Sequence, residues 1–212
     1  MPLYALDNKI WFPPAAEAMD DGLLAFGGDL SVERLLLAYR NGIFPWFDGG
    51  IPLWWSPDPR CVIYPAEIHV SHSMKQLLKK NTFELKINTD FRKVIENCRE
   101  VSRKGQPGTW ISDEIIESYC RLHELGYAQC AAVYRDGEII GGLYGIRLQK
   151  VFCGESMFSK VSNASKYAFI SYARVLAAEG VELIDCQIPN PHLESLGARM
   201  IPREEFLGYL TC

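Results

Sequence analysis

From residue 61 onward, apolar and polar positions recur at the spacings of strands and helices. The clearest signal is a β-hairpin in which two apolar strands flank Asp136-Gly137, a dipeptide suited to a type I′ turn. In its first half, this region is predicted to contain strands over 61–64 and 83–88 and helices over 71–80, 91–101 and 112–125. A three-stranded meander over 128–135, 138–148 and 151–155 follows, and then a helix over 164–178 and a strand over 181–187.

The first 60 residues lack this regularity and are dense in Pro, Gly and aromatic residues. Only residues 31–40 read as a helix, with Ser31 as its N-cap. We therefore predict two domains, a small aromatic-rich and loop-rich domain over 1–61 and a mixed-sheet domain over 62–212. The element order of the second resembles an N-acyltransferase (GNAT-like) domain, in which a central strand splays from its neighbour and substrate lies in the gap. The predicted fold class is α+β.

The composition is that of a folded cytoplasmic protein. A hydrophobic content of 48% over 212 residues is enough for a sizeable core. Residues 1–14 have no basic segment and no apolar run of signal length, and no stretch reaches the ~18 apolar residues of a membrane span. The seven cysteines include no C-x-x-C pair and lie in apolar segments, so we expect reduced core residues without disulfides or structural zinc.

The net charge of −4 argues against non-specific coating of nucleic acid, but residues 75–104 are locally basic. They hold nine of the 22 Lys and Arg against four acids. This excess is either an ordinary solvated face on two helices or a landing site for a phosphate backbone. The candidate contacts are Lys75, Lys79, Lys80, Arg92 and Lys93.

Candidate chemistry lies on two of the predicted strands. Glu155 is the last residue of the predicted strand over 151–155, and the ordinary interpretation is a solvated glutamate at a strand end. On the strand over 181–187, side chains alternate between faces, which groups Asp185 with Gln187 unless the strand has already ended. If the two strands are neighbours in the sheet, two carboxylates and an amide would share one cleft.

Several other mechanisms lack their motifs. Gly154-Glu155-Ser156 has Phe158 where a nucleophile elbow needs glycine, and the chain has neither an HExxH metal motif nor a phosphate-binding P-loop. We expect no metal and no cofactor. An acyl-CoA enzyme would also need a Gly-rich loop before the helix over 164–178, and residues 160–165 contain no glycine. The acyl donor is therefore predicted not to be coenzyme A.

Nine short sequence strings, in order and at compatible spacing, give the chain a specific resemblance to one family. They cover residues ~10 to 210 and are GLLAFGGDLS, GIFPWF, WWSPDPR, GTWIS, GGLYGI, FCGESMFS, NASK, LIDCQ and SLGA. Together they resemble the leucyl/phenylalanyl-tRNA–protein transferase family. The resemblance implies transfer of Leu or Phe, and less well Met, from aminoacyl-tRNA to proteins that begin with Lys or Arg, which marks them for N-end-rule degradation.

The resemblance also implies roles for individual residues. Asp185 and Gln187 match the catalytic pair, and Glu155 matches an acid whose negative charge would suit a Lys or Arg acceptor. Trp46 and Trp110 match aromatics that contact the terminal adenine of tRNA. Walls of the apolar pocket for the transferred side chain are matched by Leu143 and Phe152.

One segment departs from the family pattern, and this puts fine substrate preference in question. Residues 129–134 read Gln-Cys-Ala-Ala-Val-Tyr where the family usually has a His-Ser pair followed by an acid and a Trp. The alternative functions are an acyl-CoA acetyltransferase, a tRNA-dependent ligase of cell-wall peptides, which is usually longer, and an RNA-binding module without activity.

Overall fold

The computed structural model describes residues 2–47, 49–101 and 109–211. Residues 103–109 are rich in Gly, Pro and polar residues, which predicts a loop. Only Thr109 of this segment lies within the described ranges, and the basic residues Arg103 and Lys104 lie outside them. Within the described ranges, no helix is long and apolar enough to cross a membrane.

The N-terminal part contains a small four-stranded sheet, where the sequence predicted loops around one helix. Its strands are β1 (Tyr4–Leu6), β2 (Leu23–Gly27), β3 (Phe44–Pro45) and β4 (Leu53–Trp55), in the order β1-β2-β4-β3. The predicted helix is confirmed as α1 (Val32–Arg40), and the Ser31 side chain accepts from the Arg34 backbone N–H. The strands are two to five residues long, too short for an alternating pattern to appear.

A seven-stranded mixed sheet forms the rest of the structure, which confirms the α+β class. The strand order is β11-β5-β10-β9-β8-β7-β6. In chain order the elements are β5 (Arg60–Ile63), α2 (His72–Lys80), β6 (Glu84–Ile87), α3 (Phe91–Glu100), α4 (Asp113–Glu124), β7 (Ala128–Arg135), β8 (Glu138–Leu148), β9 (Val151–Ser159), α5 (Ala164–Ala178), β10 (Leu183–Gln187), α6 (Pro191–Glu194), β11 (Arg199–Ile201) and α7 (Arg203–Leu210). The predicted division of the chain after residue 61 stays a prediction.

Both faces of this sheet are buried. On β7, Cys130 and Ala132 belong to one core, with residues of α1, α3 and α4, whereas Ala131 and Val133 belong to the other, with residues of α5. A strand buried on both faces reads as a continuous apolar run, as this segment does.

The central meander confirms the predicted hairpin and corrects the length of its third strand. Asp136 and Gly137 have φ of 53° and 81°, the left-handed pair that a type I′ turn requires. β9 continues past Glu155 to Ser159. It stays paired with β8 on both sides of a bulge, at which the register shifts between Tyr144 and Gly145. A Cβ on Gly145 would lie 2.1 Å from the Cys153 carbonyl oxygen, so glycine is required there.

Candidate active site

The parallel strands β9 and β10 separate partway along their length. They pair from Val151 and Leu183 as far as Cys153 and Asp185. Beyond that point β9 continues beside β8, whereas β10 ends at Gln187, which has a φ of 57°. Because a left-handed residue does not continue a strand, the backbone turns away from β9 here. The two strands are therefore neighbours, which was the condition for a shared cleft, and a gap opens between them beyond Cys153 and Asp185.

A cavity of about 370 Å³ fills this gap, a size typical of small-molecule sites. Residues of β8 and β9 line one side, including Leu143 and Met157, and residues of β10 and α6 line the other. The polar groups on its walls include Glu155, Ser165, Gln187, Asn190 and His192. A cavity with apolar side chains beside several convergent polar groups suits a ligand that carries an apolar side chain next to a reacting centre.

Asp185 orients the amide of Gln187. Its carboxylate accepts from the Gln187 backbone N–H at 3.0 Å and from Gln187 Nε2 at 3.3 Å. Since Nε2 donates to Asp185, the amide oxygen is the atom that Gln187 can offer to a ligand. Asp185 itself is 0% exposed and lies behind Gln187. Of the three side chains expected to share a cleft, Glu155 and Gln187 therefore line the cavity and Asp185 does not.

Arg60 on β5 holds Asp185 in place. Its Nε and Nη2 donate to the two carboxylate oxygens of Asp185 at 2.7 and 2.8 Å, and its Nη1 donates to the Gly42 carbonyl at 3.1 Å. The guanidinium lies 4.8 Å from the Phe44 ring centroid and 4.6 Å from that of Phe206. Two-point pairing fixes both position and rotation of a carboxylate. Arg60 was missed in the sequence, where it ends an aromatic-rich string.

Glu155 is joined to two buried tyrosines, Tyr39 and Tyr119, which belong to the core shared with α1, α3 and α4. Tyr119 Oη donates to Glu155 Oε2 at 3.3 Å, and the hydroxyls of Tyr39 and Tyr119 form a short hydrogen bond with each other. Glu155 Oε1 is buried and has no partner among the residues that the structure describes. Burial raises the pKa of Glu155 from 4.5 to about 8, so at pH 7 the carboxyl is predominantly protonated. The negative charge expected from the sequence is therefore not present before ligand binds.

The raised pKa of Glu155 makes folding stability depend on pH. The unfolded chain releases this proton near pH 4.5 and the folded chain near pH 8, so the folded state binds more protons in between. Glu155 therefore lowers the free energy of unfolding as pH rises across that interval, by at most about 1.4 kcal/mol per pH unit. We expect Glu155→Gln to weaken this fall, as measured by urea denaturation at pH 5, 6.5 and 8.

A matched control for that measurement is Glu138→Gln, which makes the same change at an exposed position. Its stability should follow the wild-type pH dependence. Parallel curves for wild type and the Glu155 variant would contradict a protonated Glu155.

The residues predicted to form the apolar pocket and the adenine site differ in whether they line the cavity and in how exposed they are. Leu143 lines the cavity. Phe152 does not line it; the ring is buried and packs edge-on against Tyr172, with centroids 5.3 Å apart. Trp46 is half-buried and packs against Trp55, and Trp110 is only 9% exposed. Trp110 therefore has little free ring surface for stacking on a base.

The five predicted tRNA contacts differ in their pairing. On α3, Arg92 donates to both oxygens of Glu117, and Lys93 is 3.0 Å from Asp90. Lys75, Lys79 and Lys80 on α2 are exposed and have no ion-pair partner within the described ranges. Because a paired cation has less charge to offer a phosphate, α2 is the stronger candidate surface.

Neither a metal site nor a thiol nucleophile has support among the residues that the structure describes. In the described part of the chain, no group of three or more His, Cys, Asp or Glu is arranged to hold a metal ion. Burial raises the pKa of the Cys153 and Cys186 thiols well above the ordinary value, so both stay protonated at neutral pH.

Comparison with known proteins gives consistent matches. The family model described as leucyl/phenylalanyl-tRNA protein transferase matches residues 62–211, and the model of that family's N-terminal domain matches residues 28–58. The chain is 55% identical to the leucyl/phenylalanyl-tRNA–protein transferase of Flavobacterium johnsoniae and 56% identical to that of Flavobacterium psychrophilum, each over 98% of this chain and 99% of the relative. With the same-named Pseudomonas fluorescens protein the identity is 51%, over 96% of this chain and 91% of the relative.

Among solved structures, a GCN5-related N-acetyltransferase-like protein from Streptococcus suis matches with a TM-score of 0.41 and 12% identity, over 76% of this chain and 59% of that chain. This likeness is too slight to carry an argument.

Proposed function

Because the chain belongs to the leucyl/phenylalanyl-tRNA–protein transferase family and is an aminoacyltransferase, we propose that it transfers Leu or Phe, and less well Met, from aminoacyl-tRNA to other proteins. The proposed acceptor is the N-terminal α-amine of proteins that begin with Lys or Arg, and the product is marked for N-end-rule degradation. The proposed location is the cytoplasm, where aminoacyl-tRNA is made and used.

One observation carries the assignment of the site: the Gln187 amide, oriented by Asp185 and Arg60, lines the same cavity as Glu155. In the reaction, the α-amine nitrogen attacks the ester carbonyl carbon, a C–N bond forms, and the C–O bond to the terminal ribose breaks. An aminoacyl ester is already activated, so most of the task is orientation, which can supply ~7–11 kcal/mol. We assign Gln187 to hold the α-amine through its amide oxygen and Asp185 to hold Gln187.

Glu155 is assigned to the acceptor side of the cavity. Its unpartnered Oε1 would receive a donor from the acceptor. A cation that approaches a buried carboxyl favours the ionised form, so binding of an N-terminal Lys or Arg would favour release of the Glu155 proton to solvent. This couples acceptor binding to proton release and supports a preference for cationic acceptors.

The start of α5 disfavours coenzyme A as donor. In acyl-CoA enzymes, backbone N–H groups at this position bind a pyrophosphate. Here Ser159 Oγ accepts from the Ser165 N–H at 3.1 Å, and the Val161 carbonyl accepts from the Ala164 N–H at 3.2 Å. Because these donors are already used within the chain, the proposed donor remains aminoacyl-tRNA. Its apolar side chain would lie against Leu143, and Trp46 has more free ring surface for the terminal adenine than Trp110.

The tRNA body is proposed to contact α2 through its unpaired lysines. Replacing both Lys79 and Lys80 with alanine should raise KM for aminoacyl-tRNA roughly five- to tenfold and reduce the slope of log KM against log salt by about two, because two phosphate contacts are lost. Steady-state assays at several salt concentrations measure both quantities. Removing Arg92 and Lys93 together should have a smaller effect, because these cations are already ion-paired. An unchanged KM in the Lys79 and Lys80 variant at every salt concentration would exclude α2 as the contact.

The proposed function is tested with labelled Leu-tRNA and two peptides that differ only in their first residue, Lys or Ser. We expect transfer to the Lys peptide alone, and none after ribonuclease treatment. Equal transfer to both peptides would refute the acceptor assignment. Acetylation of the peptide from acetyl-CoA that survives ribonuclease would favour the acyl-CoA alternative.

A further inference from the structure

The cavity has two buried polar atoms without a hydrogen-bond partner in the described structure, one on each side. On β9 the atom is Glu155 Oε1, and on α6 it is His192 Nε2. A buried polar atom without a partner is unfavourable, and its presence in a cavity suggests that a ligand satisfies it. Glu155 already has a proposed role, whereas His192 has none.

Aminolysis of an ester needs a group that removes a proton from the attacking amine. Gln187, Asp185 and Glu155 are poorly suited to act as this base. Gln187 is an amide and not a base. Asp185 is fully buried, and both of its carboxylate oxygens accept from Arg60. Glu155 is protonated before the acceptor binds, and once ionised it accepts from Tyr119 and is assigned to pair with the cationic side chain of the acceptor. Among the cavity groups described, only the imidazole of His192 presents an open, basic nitrogen.

The backbone of His192 is held firmly. Asn190 Oδ1 accepts from the Leu193 N–H at 2.9 Å and so starts α6, and Ser195 Oγ donates to the His192 carbonyl at 2.7 Å. Lys166 Nζ on α5 lies 3.4 Å from Ser195 Oγ. Burial, and secondly the charge of Lys166, lower the pKa of His192 and keep the ring neutral at pH 7. The other titratable groups on the cavity walls are Glu155, Tyr144 and Cys186.

We propose that His192 is a further catalytic residue, whose Nε2 accepts a proton from the acceptor α-amine as the C–N bond forms and returns it to the ribose oxygen as the C–O bond breaks. The inference rests on the proposed aminoacyl transfer and adds a proton carrier to it. No proton is gained or lost by the enzyme over the cycle. A single neutral imidazole nitrogen can serve as base and then as acid in this way.

Two variants separate proton transfer from a structural role. His192→Ala and His192→Gln should each lower kcat for Leu transfer by ~10²-fold or more, with little change in KM for Leu-tRNA. Gln keeps a polar side chain but cannot carry a proton. Added imidazole should restore turnover of the Ala variant at least tenfold, and this rescue should increase with pH as free imidazole becomes neutral.

The control is His69→Ala, which removes a ring that contacts the Ser195 carbonyl from outside the cavity. It should stay within threefold of wild type. The proposal is overturned if His192→Gln turns over like wild type, or if folded His192→Ala is not rescued by imidazole. A wild-type chain that transfers nothing would refute the proposed function itself, and this inference with it.

Discussion

Replacing Gln187 with alanine is expected to lower kcat for aminoacyl transfer by about 100-fold and to leave KM for aminoacyl-tRNA nearly unchanged. The amide oxygen of Gln187 is the acceptor that would align the α-amine, and a small misplacement of a reacting group can cost ~10²-fold. This corresponds to about 2.7 kcal/mol of activation free energy. Folding stability should change little, because the side chain is only half-buried.

The matched control is Gln149→Ala. Gln149 and Gln187 both have a left-handed backbone, with φ of 43° and 57°, but Gln149 is exposed in the turn between β8 and β9. The same substitution there should leave kcat within threefold of wild type. A Gln187 variant that turns over at the wild-type rate would remove the amide from the mechanism, and a change in KM alone would make it a binding residue only.

Replacing Asp185 with alanine is expected to destabilise the fold as well as stop turnover. The substitution leaves the Arg60 guanidinium fully buried without its carboxylate partner. Removing one member of a buried ion pair typically costs ~3–5 kcal/mol, because the remaining charge is uncompensated. Urea denaturation of the variant should show a loss of this size. Activity of this variant therefore reports folding and chemistry together.

A second substitution separates the two effects. In the double variant Asp185→Leu/Arg60→Met, no buried charge is left unpaired, so it should recover much of the lost stability. Turnover should remain low, because Gln187 has lost its orienting partner. Glu124→Ala, which breaks the exposed pair with Arg121, should cost less than ~1 kcal/mol. A folded double variant with near-normal turnover would contradict the positioning role of Asp185.

Turn and helix-capping residues in the sequence predicted the hairpin and the helix starts, because these features depend on residues that are close together in the chain. The β7–β8 hairpin follows from Asp136-Gly137, and the N-caps Ser31, Ser71 and Ser112 each accept from the backbone of the helix that follows. Glu155 and Gln187 line a common cavity, as side-chain alternation implied for the case in which their strands are neighbours, whereas Asp185 does not line it. That interpretation needed only strand alternation and the pairing of the two strands.

The missed parts depend on contacts between distant residues. Arg60 is 125 residues from Asp185, and Tyr39 is 80 residues from Tyr119. No pattern within a short window reveals such pairs. The raised pKa of Glu155 was not predicted for the same reason, since the burial that raises it comes from the packing of several elements. Phe152 is part of the core behind the cavity, a distinction that strand alternation alone does not make.

The most direct test of the account is to locate the transferred residue on the product. Wild type and the Gln187→Ala variant are incubated with Leu-tRNA and a peptide that begins with Lys, and fragmentation mass spectrometry then identifies the modified nitrogen. We predict one leucine on the α-amine, formed about 100-fold more slowly by the variant. Leucine on the lysine ε-amine, or equal rates for the two proteins, would contradict an α-amine held by Gln187 in the cavity between β9 and β10.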